Sequence, residues 1–370
     1  MKVIFRADAS LQIGTGHVMR CLTLADALTA NGAECTFICR EHVGNLIEHI
    51  KHKGYRVYTL PYASFEQTNL PIGHKEPTNR SLAHAAWLGA TQKQDAAECT
   101  KVVEEMQPDW LVVDHYGLDA EWETALQCHY RKLMVIDDLA DRPHISDLLL
   151  DQTFGRSPQA YQQWVPSGCT VLCGSQYALL RPEFSTLRPY SLKRRANHQL
   201  EHLLITMGGV DKDNATGQIL RALKASELPT ECRITVVMGA NAPWLKEVRQ
   251  EALQMPWPIE VLVDVRDMAQ LMADSDIAIG AAGSTSWERC CLGLPTIMVV
   301  LAENQKTAAI LLEQAQAVLS LSIGVDLASE LQRIIEKINL EKKLLKALSV
   351  KANRITDGTG CQLVVSKLES

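Results

Sequence analysis

The chain has 370 residues, enough for two ordinary domains, and its 46% hydrophobic and 22% charged content is that of a globular protein. A formal net charge of −6, with both signs interspersed and no basic run longer than the "KRR" of 193–195, excludes the electrostatic footprint of a nucleic-acid binder. No apolar run approaches the ~18 residues of a membrane span and nothing leader-like precedes the first strand, so a cytoplasmic protein without membrane partners is expected.

In chain order, "KVIFRADAS" predicts a first buried strand over 2–8, and "RCLTLADALTANGA" has the apolar spacing of a helix over 16–30 that stops at Asn31-Gly32. A strand at 34–39, a helix at 43–53 and a strand at 55–60 follow. Pro61 to about Asn79 is irregular and longer than a routine connection, the mark of a functional loop. One long helix is expected over 82–106, then "DWLVVDHY", "KLMVIDD" and "DLLLDQT", three short apolar strands that each end in acidic or polar residues. Such alternation implies a parallel sheet with helices on both faces and ligands at the strand C-termini.

Around 187–202, "LRPYSLKRRANHQLEH" loses periodicity and reads as a linker. A second α/β series then begins with "EHLLITMGGVD" and continues through "CRITVVMGA", "IEVLVDV", "DIAIGAAG" and "PTIMVVLAENQ", with a last helix after Gly358 and Gly360. The expected architecture is α/β, with two Rossmann-like domains, 1–190 and 200–370, facing each other across a cleft. The eleven cysteines include no C-x-x-C pair and read as buried free thiols. Nine of the eleven histidines precede residue 150, so histidine acid/base chemistry belongs to the first half.

"GTGHVMRC", Gly14 to Cys21, sets a histidine at a strand-to-helix turn. Gly14 and Gly16 let the backbone bend and a ligand approach, and free N–H groups at the helix start favour an anion there. The same N-terminus disfavours imidazolium, leaving His17 in the neutral form that a general base needs. A plain cap would explain the histidine too. The pattern is not the G-x-G-x-x-G dinucleotide fingerprint, and no acidic residue ends the second strand at "FICR", which disfavours a nicotinamide enzyme. Asp8, Asp114 and Asp137, all at strand ends, are candidates to orient His17, and the sequence ranks none of them first.

In the second half, "GAAGSTSWERCCLGLP" at 280–295 joins a strand end, a small-residue turn, hydroxyls at Ser284, Thr285 and Ser286, and the carboxylate of Glu288. Backbone N–H groups and hydroxyls suit a diphosphate, and a carboxylate one turn along suits both hydroxyls of a ribose. Ser284 acting as an N-cap with Glu288 in a capping-box-like start is the alternative.

The run "GAAGSTSWERCCLGLP" followed by "LAENQ" resembles the donor-nucleotide half of GT-B glycosyltransferases of the MurG-like group. Together with "RADASLQIGTGHVMRCLTLADAL", "VVDHYGLD", "VIDDLADR" and "GSQYALLRPEF", it resembles one narrower family, the UDP-2,4-diacetamido-2,4,6-trideoxy-β-L-altropyranose hydrolases of pseudaminic acid biosynthesis. The resemblance implies a GT-B fold, hydrolysis without metal or cofactor, a UDP-sugar substrate and UDP product, and His17 as base. It also implies a sugar and diphosphate side at Gly14, Thr15, Gly16, Tyr116 and Arg181. The UDP side would lie at Gly208, Gly209, Val265, Gly283, Ser284, Thr285, Glu288, Asn304 and Gln305. The segment 61–105 stays unassigned. A glycosyltransferase of the same fold, with His17 activating an acceptor hydroxyl, and a non-catalytic nucleotide-sugar binder are the competing expectations.

Overall fold

The computed structural model describes residues 1–62, 82–196, 200–341 and 343–370, except for the side chain of Asn304. The irregular stretch expected from Pro61 to Asn79 therefore lies almost wholly outside the described residues. The chain forms two compact units: the first is Met1–Asp151, Arg156–Cys173 and Val365–Ser370, the second Gln152–Gly155 and Gly174–Val364. The first unit thus gives way to the second at Gly174, ahead of the boundary near residue 190 that the linker-like composition suggests.

In the first unit seven strands form one parallel sheet: β1 (Lys2–Ala7), β2 (Glu34–Arg40), β3 (Arg56–Leu60), β4 (Trp110–Asp114), β5 (Lys132–Ile136), β6 (Leu148–Asp151) and β7 (Thr170–Cys173). Their order is β3-β2-β1-β4-β5-β6-β7. Val3, Ile4, Phe5, Leu111, Val112, Leu133 and Met134 are fully buried, as expected for a sheet covered on both faces. The order reverses between β1 and β4, and the register there sets Ala7 beside Asp114. Chains leaving these two strands diverge and open the crevice where open α/β sheets bind ligands.

Helix α1 (Gly16–Ala30) follows β1, and α2 (Ile47–His52) follows β2 in a shorter form than expected. The long helix expected at 82–106 is broken: Ala85–Leu88 is a 3₁₀ turn, Gly89 is left-handed at φ +68°, and α3 (Gln92–Met106) begins afresh from a Thr91–Gln94 capping box. The capping box supplies donors and acceptors for a new helix start, so the break is chemically defined. A short α4 (Ala120–Ala125) follows β4.

The first α-helix of the second unit is α5 (Pro182–Arg194), which occupies half of the expected linker despite Pro189 within it. Proline removes one helix hydrogen bond. Tertiary bonds hold the segment instead: Arg188 donates to the carbonyls of Cys291 and Asn353, and Ser191 Oγ donates to that of Leu292.

Its sheet, again all parallel, has six strands: β8 (His202–Thr206), β9 (Arg233–Met238), β10 (Ile259–Val263), β11 (Ile277–Ala281), β12 (Thr296–Val300) and β13 (Leu319–Ser322). The order is β10-β9-β8-β11-β12-β13, with its own reversal between β8 and β11. Between these strands run α6 (Ala215–Leu223), α7 (Leu245–Ala252), α8 (Met268–Asp274), α9 (Thr285–Cys291) and α10 (Lys306–Gln314). After β13 come α11 (Leu327–Leu340), α12 (Leu344–Ala352) and α13 (Gly360–Leu368). All eleven cysteines are free, and all but Cys128 and Cys169 are buried. Among the described residues no helix is long and apolar enough to cross a membrane.

Candidate active site

In the first unit the chain leaves β1 through a tight loop in which Gly14 N–H donates to Ser10 O at 2.9 Å, and Ser10 Oγ accepts from the N–H groups of Gln12 and Ile13. Gly14 has φ +82°, a conformation that costs a side-chain-bearing residue but not glycine, and nothing lies within 4 Å of where a Cβ would stand. Thr15 is the N-cap of α1 but makes no side-chain cap bond, and Gly16 opens the helix. His17 follows on the first turn, with its side chain 10% exposed.

His17 Nδ1 is 2.6 Å from Asp114 Oδ1 at the end of β4. Arg20, one turn further along α1, donates to the same carboxylate twice, through Nε at 2.6 Å and an Nη at 2.7 Å, and to Asp138 at 2.5 Å. Burial alone would push the Asp114 carboxyl up, but the Arg20 guanidinium and His17 hold it well below the usual carboxylate range. An ionised carboxylate only accepts, so the Nδ1 facing it carries a proton, and in the neutral imidazole that tautomer puts the lone pair on Nε2. Among the described residues Nε2 has no hydrogen-bond partner.

The other two aspartates are engaged elsewhere. Asp8 pairs with Arg6 at 2.7 Å and accepts from Arg40 N–H at 2.7 Å, tying the ends of β1 and β2 together. Asp137 pairs with Arg142 at 2.7 Å and accepts from Ala140 N–H and the Tyr161 hydroxyl. The structure therefore brings Asp114 alone of the three to His17.

Tyr116 stands two residues beyond Asp114, buried, with its ring edge-on to His17 at 4.6 Å and its hydroxyl donating to Asp138 at 2.8 Å. Arg20 and Asp138 were not singled out from sequence as site residues. The i, i+3 spacing of His17 and Arg20 on one helix face and the doubled acid of "IDD" were the available signals.

The second unit carries the other residues. Gly208, at φ +88°, and Gly283 each have open space where a Cβ would stand. Beyond Gly209, the first N–H groups of α6 are already taken: the Asp211 carboxylate accepts from Ala215 and Thr216. At the start of α9, Ser284 makes no side-chain cap bond, so the capping-box alternative is not what this turn adopts. Arg289, fully buried beneath the turn, donates to Thr285 Oγ1, Ser286 Oγ and Ala281 O. A hydroxyl that accepts from a guanidinium keeps its own proton to donate outward.

The Glu288 carboxyl has no hydrogen-bond partner among the described residues, and burial raises its pKa although Arg181 and Arg289 pull it down. Arg181 thus belongs to the second unit, near Glu288, and not to the N-terminal domain in which the sequence boundary places it. It stacks over Phe184 at 5.3 Å. Val265 is partly buried against the core just past β10, and the Gln305 side-chain amide oxygen, Oε1, accepts from Leu301 N–H at 2.9 Å. The Asn304 side chain lies outside the described residues.

Comparison with known proteins matches residues 202–359 to the glycosyltransferase family 28 C-terminal domain. The chain is 28% identical over 310 residues to the UDP-2,4-diacetamido-2,4,6-trideoxy-beta-L-altropyranose hydrolase of Campylobacter jejuni, covering 84% of this chain and 95% of that protein. It is 25% identical to the spore coat polysaccharide biosynthesis protein SpsG of Bacillus subtilis, over 70% of this chain and 76% of that one. Among solved structures, MurG of Acinetobacter baumannii superposes with a TM-score of 0.69 at 16% identity, covering 100% of this chain and 99% of that one. The fold is that of the GT-B enzymes, and the hydrolase likeness carried by the motifs extends over most of the chain.

Proposed function

We propose that the protein hydrolyses a UDP-linked N-acetylated amino sugar, releasing UDP and the free sugar without metal. The substrate this reading favours is UDP-2,4-diacetamido-2,4,6-trideoxy-β-L-altropyranose, in pseudaminic acid biosynthesis, after the Campylobacter relative. His17 Nε2 takes a proton from water as the oxygen attacks the anomeric carbon. The bond from that carbon to the UDP oxygen breaks, and a single displacement inverts the anomeric configuration.

Ordinary glycosidases need a second carboxyl group because a departing alkoxide must be protonated. UDP does not need it. A terminal phosphate with a second pKa near ~6 leaves as an anion once hydrogen-bond donors offset its growing charge. Residues of the second unit supply those donors: Ser284, Thr285 and the open turn at Gly283, with Glu288 for the ribose hydroxyls.

The observation that carries the reading is the His17–Asp114 bond at 2.6 Å, with Arg20 fixing the carboxylate from its other side. It leaves Nε2 of the imidazole without a partner among the described residues, placed to accept a proton. A positioned base of this kind contributes about 10²–10⁴-fold. A glycosyltransferase is the second reading, favoured by the family 28 match, and in it His17 would activate a sugar hydroxyl instead of water. Incubating the purified protein with UDP-sugars, with chelator and without acceptor, tests the two. Release of UDP and free sugar is expected; turnover only after a second sugar is added would overturn hydrolysis.

A further inference from the structure

The segment that sequence patterning left unassigned supplies an aromatic wall beside His17. Trp87, on the 3₁₀ turn Ala85–Leu88, lies nearly parallel to Tyr116, with centroids 5.9 Å apart and planes at 27°, and 6.4 Å from the His17 ring. His84 packs on the Trp87 ring at 4.3 Å and reaches Tyr116 at 5.6 Å.

The turn does not depend on Trp87 for its shape. Leu88 anchors it in the core, at 1% exposure, and left-handed Gly89 ends it where a Cβ would meet Tyr62 and His42 within 3 Å. Trp87 itself is only half-buried, and its indole N–H has no hydrogen-bond partner among the described residues. Tryptophan with one polar edge and a large apolar face is well suited to a ligand that is itself part apolar. A fixed, half-exposed aromatic surface next to a histidine with a free nitrogen therefore has the form of a binding wall.

We infer that Trp87, held by His84 and Tyr116, is the specificity-determining surface for the sugar, taking the methyl of an acetamido group. This rests on the hydrolase reading given above. An acetamido methyl packed on an indole loses water-exposed apolar area, whereas a hydroxyl at the same place would be desolvated without a partner. The wall thus selects N-acetylated sugars over their hydroxylated counterparts. Discrimination by one such group is worth about tenfold to a hundredfold.

The test combines kinetics with saturation-transfer NMR on the full chain, using wild type, Trp87→Ala and Trp87→Phe. With UDP-N-acetylglucosamine as probe, the acetyl methyl should receive strong saturation in wild type and in Trp87→Phe. In Trp87→Ala that signal should be lost while the uridine protons keep theirs. For hydrolysis of the diacetamido substrate, Trp87→Ala should lower kcat/KM by about tenfold to a hundredfold, and Trp87→Phe should restore most of it. Wild-type uridine saturation without methyl saturation, or equal methyl signals in wild type and Trp87→Ala, would overturn the wall. Absence of hydrolysis in wild type would overturn the reaction instead, and the NMR comparison would still decide the wall.

Discussion

The two units repeat one topology, and the candidate residues of each cluster where the strand order reverses, yet the two sites are finished in opposite ways. In the first, every buried carboxylate near the reversal is paired: Asp8 with Arg6, Asp95 with Arg6 and Arg40, Asp114 with Arg20 and His17, Asp137 with Arg142. Among the described residues, one nitrogen of His17 is left open there. In the second, Glu288 has no partner among the described residues, Ser284 caps nothing, and Gly208 and Gly283 border empty space. The proposed function accounts for the contrast: a base has to be held in one orientation before substrate arrives, which internal ion pairs do, and groups proposed to recognise a nucleotide must be available to it, which leaves them unsatisfied at some cost to stability.

The largest effect that separates the two sites is expected from His17→Gln. It should lower kcat by about 10²–10⁴-fold or more while UDP affinity, measured by calorimetry, stays close to wild type. A variant that kept its turnover would remove the base from the first unit and dissolve the division of labour.

Asp114→Asn should cut turnover in the same direction, because an amide can donate to Nδ1 and stabilise the wrong tautomer. It should also cost about 3–5 kcal/mol of stability, since Arg20 loses the charge it faces in a buried place. The sign with pH follows from the depressed Asp114 carboxyl. Its contribution is complete above an unfolded value near ~4 and is lost as pH falls further. Thermal melts should therefore show a wide gap between wild type and Asp114→Asn at pH 7 that narrows below about pH 4. A gap independent of pH would mean that Asp114 is not held ionised.

Glu288→Gln gives the smallest effect and the opposite sign. UDP affinity should weaken by about 1.5–3 kcal/mol as charged hydrogen bonds to ribose are lost. Stability should rise slightly, because burial raises this carboxyl and the folded state is penalised once it ionises, increasingly so as pH climbs above about 4.3. Unchanged UDP affinity with unchanged melting would show that the two sites are not built on different principles.

The sequence exposed what is local. Buried strands announced themselves as apolar runs, α1 by its period and stop signal, and the glycine turns by composition. What it hid is non-local. That Asp114, and neither Asp8 nor Asp137, meets His17 across 97 positions of sequence depends on β4 lying next to β1. Helix α5 looked like a linker because its proline and basic residues lack period, and its stability comes from bonds to distant carbonyls. β13 was missed because "LSLS" is short and half polar, as an edge strand can be. Trp87 is hidden in the sequence because the helical pattern of 82–106 conceals a break marked by Gly89 and the Thr91–Gln94 capping box alone.

The central claim is that water attacks carbon, under a base held in the first unit, and not phosphorus. Hydrolysis in ¹⁸O-water with mass analysis of both products tests it most directly. The label should appear at the anomeric oxygen of the released sugar and be absent from UDP, with NMR of the first-formed sugar showing the inverted anomer before mutarotation. Label recovered in the UDP phosphate would contradict the account.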